Sequence, residues 1–145
     1  MVTLKIKSVK RRRTFPNKAG WRVIGGTKLY LRSKLEANYA RYLEFLRRCG
    51  DILSWEYEPE TFWFEKIKRG VRSYTPDFQV FHPNAIIQYV EVKGYMDAKS
   101  ATKIKRLRKY FPDEKLIVID QKWFARNNKK LKSIIKDWEW VLPTD

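Results

Sequence analysis

"SYTPDFQVFHPNAIIQYVEVKGY", residues 73–95, reads as two β-strands around a short turn. Apolar and aromatic residues recur along both halves, and His82-Pro83-Asn84-Ala85 supplies turn chemistry between them. Three charged residues lie inside the stretch: Asp77 directly after Pro76, then Glu91 and Lys93 on either side of Val92. If the hairpin turns about Asn84, paired residue numbers sum to 168 and Asp77 stands opposite Glu91. Their Cβ atoms would then be roughly 5 Å apart. Side chains alternate along a strand, so Lys93 shares the Glu91 face while Val90 and Val92 share the other. Two opposed carboxylates repel, an arrangement that an exposed sheet avoids. A divalent cation between them removes the objection, because hard cations prefer oxygen ligands. Lys93 is then placed to orient a water or hydroxide and to stabilise negative charge at a phosphorus centre.

The acid-x-Lys triplet is weak by itself, since it occurs four times: at Glu91, Asp97, Asp113 and Asp120. Context separates them. Asp97 opens a helical pattern as an N-cap, Asp113 follows Pro112 in a turn, and Asp120 ends a strand with Lys122 in the next turn. Only Glu91-Val92-Lys93 sits inside a β-branched and aromatic run. The competing reading is a solvent-facing strand whose ion pairs each contribute less than ~1 kcal/mol. Glu36 is the next candidate. Ser33 and Glu36 fit a helix capping box, and a first-turn acid can also face a neighbouring strand end as a third carboxylate.

Residues 33–48 form the clearest helix, with Leu35, Tyr39, Tyr42, Leu43 and Leu46 on one face and Gly50 past the end. "ILSWEYEPETFWFEKI" alternates as strand with a proline interruption, and residues 97–111 form a second helix followed by Pro112. "KLIVID" reads as a fully buried strand, residues 123–135 as helix, and "WEWVL" as a candidate last strand. Upstream, Gly20, Gly25 and Gly26 mark a small hairpin or loop, preceded by the basic run Lys10, Arg11, Arg12 and Arg13. The order across residues 33–120 is helix, strand, strand, strand, helix, strand, an α/β or α+β domain with a mixed sheet. We expect a single domain over residues 1–145: a basic arm or hairpin (1–32), a core (33–120), and a C-terminal helix with a possible strand (121–145).

The chain carries 32 Lys and Arg against 16 Asp and Glu, a net charge of +16. That balance points to a nucleic acid rather than a membrane, because the basic residues are spread over all segments instead of lining one amphipathic helix. No apolar run reaches a bilayer span, and the N-terminus lacks an apolar signal core, so an intracellular, cytoplasmic protein is expected. One cysteine and one histidine argue against an internal disulfide and a Cys/His zinc site. Cys49 reads as helix-end or core packing.

A helix bearing an acid, then Pro76-Asp77, then Glu91-Val92-Lys93 in a strand, then a basic helix, resembles the PD-(D/E)xK nuclease superfamily. The resemblance covers residues 33–120. Size, basicity and the progression "SKLEANYARYLEFL…YTPDF…YVEVKG" look most like small phage and archaeal Holliday junction resolvases. It implies a restriction-endonuclease-like core and Mg²⁺ or Mn²⁺ held by Asp77, Glu91 and the Val92 carbonyl. It also implies Glu36 at a second metal or its water, and Lys93 orienting the nucleophile. Phosphodiester hydrolysis in four-way DNA junctions would follow, by a homodimer with no small-molecule cofactor, encoded by a phage and acting in a bacterial host. Lys10 to Arg13, Lys34, Lys99, Lys103 and Arg106 are the expected DNA contacts; Trp63, Trp123, Trp138 and Trp140 divide between dimer interface and core. Thr75, Glu58 and Glu60 are further polar candidates. Two alternatives stay open: another nuclease of the superfamily, nicking or restriction-type, and a non-catalytic nucleic-acid-binding module.

Overall fold

The computed structural model describes residues 19–140. The basic run at Lys10, Arg11, Arg12 and Arg13 therefore lies outside the described residues, as do 141 and 142 of "WEWVL". An N-terminal hairpin comes first, β1 (Gly20–Ile24) and β2 (Thr27–Leu31). Helix α1 (Lys34–Cys49) follows, capped by the Ser33 hydroxyl, which accepts the Glu36 N–H at 3.1 Å, and closed by Gly50 in the left-handed conformation. Both caps fall where the sequence places them.

The central sheet has the order β3 (Ser54–Tyr57), β6 (Phe78–His82), β7 (Ile86–Lys93), β8 (Lys115–Asp120). Its first three strands are antiparallel and β8 runs parallel to β7, the crossover being α2 (Ala98–Tyr110). The described residues form a mixed α+β architecture with three helices, the last being α3 (Gln121–Ile134). Among the described residues no helix is long and apolar enough to cross a membrane.

Alternation in the strands sorts two cores. Phe78, Val80, Val90 and Val92 face Leu35, Tyr39 and Leu43 of α1 and Phe124 and Leu131 of α3. On the opposite face Tyr89 packs with Phe62, Phe64, Tyr74 and Leu107. The cover there includes a two-stranded sheet of β4 (Phe62–Trp63) and β5 (Ser73–Tyr74).

Several expectations need correction. The run from Ser73 is two strands, because buried Pro76 has no N–H for a ladder and separates β5 from β6. "KLIVID" is an edge strand with only Ile119 fully buried, since β8 ends the sheet. Asp120 does not merely end that strand: its carboxylate caps α3, accepting the Trp123 N–H at 3.0 Å, and Lys122 belongs to the helix. Residues 138–140 form no strand. Cys49 is exposed at the last turn of α1. Trp123 and Trp138 pack into or against the core, whereas Trp63 and Trp140 stay exposed.

The β1–β2 turn is fixed to α1 by a close approach. A Cβ on Gly25, whose φ is +59°, would lie 2.7 Å from Cδ of Glu44. That carboxylate accepts from the Trp55 indole at 3.0 Å and from Arg47 at 2.5 Å. Gly26, with φ +79°, has open space instead. Gly25→Ala should therefore destabilise the fold by about 2–3 kcal/mol and Gly26→Ala by about 1 kcal/mol, measured by urea unfolding. Equal losses would show that the Glu44 contact contributes nothing.

Candidate active site

The hairpin register decides the site. Phe78 pairs with Val90, Gln79 with Tyr89 and His82 with Ile86, so paired numbers sum to 168 as expected. One step beyond the ladder the same register sets Asp77 opposite Glu91, and a second step sets Pro76 opposite Val92. Asp77 turns its own carbonyl to the other side, where it accepts the Glu58 N–H at 2.8 Å. Pro76 then faces β7, and it has no N–H to give. The missing N–H is the one that would reach the Val92 carbonyl; the Val92 N–H itself goes to the Asp77 carboxylate, whose Oδ2 accepts it at 2.7 Å. A residue's N–H and C=O leave the same edge of a strand in a hydrogen-bonded pair, so the Val92 carbonyl also faces Pro76. Pro76-Asp77 thus ends the ladder with a carboxylate on the Val92 N–H and no proline N–H for the Val92 carbonyl.

Glu91 is 6% exposed, which excludes a solvated strand face for it. The Tyr74 hydroxyl donates to its Oε2 at 2.6 Å, and the Lys93 ammonium lies 3.9 Å from its Oε1. Glu36 joins from α1. Its amide caps on Ser33, but its side chain does not return to that residue; Oε2 accepts the Arg32 N–H at 3.0 Å and the Tyr57 hydroxyl at 2.8 Å. One half of a capping box is therefore present, and the acid itself is turned towards the sheet.

The three acids feel one another. Burial pushes the Asp77 carboxyl up to about 8, and the charges of Glu91 and then Glu36 add to the rise, against the Val92 N–H and Lys93. Burial likewise raises Glu91, opposed by the Tyr74 hydroxyl and by Lys93, with Glu36 raising it further and Lys103 lowering it. Tyr74 and Tyr57 are raised in turn by burial and by the carboxylates they contact. The structure thus joins Asp77 to Val92 and Lys93 to Glu91 on neighbouring strand ends, with Glu36 and Lys103 near enough for their charges to act there.

The other predicted contacts are more dispersed. Lys99 is exposed, Lys34 donates to the Trp140 carbonyl at 3.4 Å, and Arg106 is bonded to the Val71 carbonyl, which fastens α2 to the loop before β5. Thr75 bonds Thr61, and Glu60 accepts from Tyr89. Glu58 pairs with Arg32 at 3.1 Å and holds a positive φ of 48° beside Asp77, a strained backbone next to the acids. Sequence reasoning missed Tyr57 and Tyr74. Both carry the strand pattern as aromatics, and nothing in the sequence tells which hydroxyl reaches a carboxylate.

An oxygen-only donor set of opposed acids fits Mg²⁺ or Mn²⁺ in kind. Asp77 Oδ2 and Glu91 Oε2 each take one donor, and each carboxylate has a second oxygen. Mg²⁺ keeps several waters and uses one or two carboxylates with substrate phosphates rather than a full protein cage. Among the described residues no three His, Cys, Asp or Glu side chains group closely enough to form such a cage.

What fold and site define is a strongly basic α+β protein with a half-buried Asp77 set opposite a buried Glu91 across one hairpin. The chain belongs to the family described as "Protein of unknown function (DUF1064)", which matches residues 19–133 and so spans every element from β1 nearly to the end of α3. The comparison with curated proteins gave no match.

Raised carboxyls make stability depend on pH. Asp77 binds its proton more tightly folded than unfolded, so its contribution is complete below about pH 4 and declines as pH rises through about 8. In EDTA, melting temperature should fall between pH 5 and pH 8, and Asp77→Asn should flatten the fall. A wild-type profile that rises over this range would contradict the mutual repulsion.

Proposed function

We propose that this protein is a metal-dependent endonuclease with a restriction-endonuclease-like core, acting on branched DNA such as four-way junctions. The observation that carries the reading is the register that opposes Asp77 to buried Glu91, with Lys93 beside Glu91. Burying like charges face to face costs free energy in a fold that needs only apolar residues there. A site that works on phosphodiesters gives them a use.

In this reading Asp77, Glu91 and the Val92 carbonyl hold Mg²⁺ or Mn²⁺. When bound, the ion lowers the pKa of water and neutralises charge on a phosphoryl oxygen. The protein's own residues do the rest. Tyr74 fixes the Glu91 carboxylate from one side, and the Val92 N–H fixes Asp77. The Lys93 ammonium orients the attacking water and offsets negative charge as the water oxygen, its proton passing to solvent, adds to phosphorus and the bond from phosphorus to the leaving sugar oxygen breaks, that oxygen taking a proton from solvent. Glu36, held by Tyr57, positions that water or a second ion. Lys34, Lys99, Lys103 and Arg106, with the basic run Lys10 to Arg13, supply phosphate contacts, which position DNA without reading sequence. A homodimer gives two such sites for two opposed strands, and exposed Trp63 and Trp140 are candidates for its interface.

A second reading is a nucleic-acid-binding module without catalysis. It is favoured by the hydrogen bonds already engaging Asp77 and Glu36, and by the lack of a three-acid cage among the described residues. The test is incubation of labelled four-way junction and linear duplex with Mg²⁺, Mn²⁺ or EDTA. Metal-dependent cutting of the junction is expected. Asp77→Asn, Glu91→Gln and Lys93→Met should each slow it about a hundredfold or more while junction binding persists. Binding without cutting would leave only the module. Equal cutting of linear duplex would keep the nuclease and remove the junction preference.

A further inference from the structure

The N-terminal hairpin has two unlike faces. Inward, Ile24 and Leu31 are buried, and Arg22 bonds the Glu139 carboxylate at 2.7 Å and 3.0 Å. Outward, Trp21 pairs across the strands with Tyr30, and Val23 with Lys28. These apolar side chains contribute nothing to the core: Trp21 is 63% exposed, Val23 70% and Tyr30 48%. A single exposed aromatic is ordinary, but a cross-strand group of three exposed apolar residues is a surface feature that calls for a ligand. The rings meet edge to face at 5.4 Å, and the Lys28 ammonium lies 5.0 Å from the Trp21 ring centroid.

Charge narrows the occupant. Among the described residues before Glu36, Arg22, Lys28, Arg32 and Lys34 are cationic and none is acidic. A second copy of this chain would bring the same positive surface and be repelled. A polyanion with flat, stackable groups matches both the charge and the rings. The hairpin is also continuous with the acid site, because β2 leads directly to Arg32, whose N–H donates to Glu36 at 3.0 Å. A polymer engaged at the site is therefore within reach of the same segment.

We propose that the outer face of the β1–β2 hairpin, formed by Trp21, Tyr30 and Lys28, is a stacking platform for unpaired bases of a single-stranded or branched nucleic acid. The inference rests on the phosphodiester reading above for its continuity with the site, but its mechanism is separate. A base stacks on the indole where Lys28 now lies, and the displaced ammonium moves onto the adjacent phosphate. Stacking of this kind tolerates any base and is sensitive to loss of the ring. Such a platform favours junctions and flaps over uninterrupted duplex, whose bases are already stacked.

The test measures binding in EDTA, where no cutting occurs, with the full chain and three probes: fluorescent single-stranded oligothymidylate, blunt duplex, and phosphatidylglycerol vesicles. The double variant Trp21→Ala/Tyr30→Ala should bind the single strand about tenfold more weakly and the duplex within about twofold of the parent. Trp21→Phe/Tyr30→Phe, which keeps both rings, should retain single-strand affinity. Unchanged single-strand binding by the alanine pair would overturn the platform. So would a patch whose loss abolishes vesicle binding alone, or converts a dimer to monomers in sedimentation. If the chain never cuts DNA yet shows the ring-dependent loss, the platform stands and the nuclease reading falls.

Discussion

One hydrogen bond ties the fold to the site. Val92, the last residue of the buried run of β7, gives its N–H to the Asp77 carboxylate, and the proline opposite has no N–H to offer the Val92 carbonyl. Any other residue at 76 could donate to that carbonyl and extend the β6–β7 ladder, whereas proline leaves the Asp77–Val92 hydrogen bond at its end. The bond holds Asp77 at the end of β6 and opposite Glu91. It also leaves the Val92 peptide, rather than a closed ladder, as the floor between the two acids.

The surroundings follow from the charge this arrangement concentrates. Glu91 is almost fully buried and is held by a buried hydroxyl from β5, which requires the small β4–β5 sheet to cover that face. Glu36 is held by Tyr57 and by the Arg32 N–H, which requires α1 to start beside β3. Lys93 and, at longer range, Lys103 act against the rise at the hairpin acids, yet both Asp77 and Glu91 remain raised. Every other buried acid here has closer cationic partners: Glu44 is lowered by Arg47 and lies against Arg48, and half-buried Glu139 is lowered by Arg22 and Arg41. The contrast marks the Asp77–Glu91 pair as the place where the protein alone does not neutralise its charge.

Much of this was legible in the sequence, for local reasons. The Asn84-centred turn fixed the register, and register fixes which side chains oppose one another. Ser33, Gly50 and Asp97 announced helix ends through capping chemistry that needs no tertiary information. What escaped depends on distant contacts. Edge or centre for β8 is a matter of strand order, so an apolar run looked fully buried when one side of it is open. Whether Cys49 faces in or out is a matter of what packs on the last turn of α1. The hydroxyls of Tyr57 and Tyr74 act across β-strands separated from their acids by loops, and alternation alone treats both as apolar.

The claim at the centre is that Asp77 and Glu91 share a divalent cation. Anomalous scattering from crystals soaked in Mn²⁺ tests it without any substrate. A difference peak between the Asp77 and Glu91 carboxylates, absent from crystals of Asp77→Asn, is the predicted result. Mn²⁺ bound only elsewhere, or no peak in the wild-type protein while the carboxylates keep their present hydrogen bonds, would contradict the account.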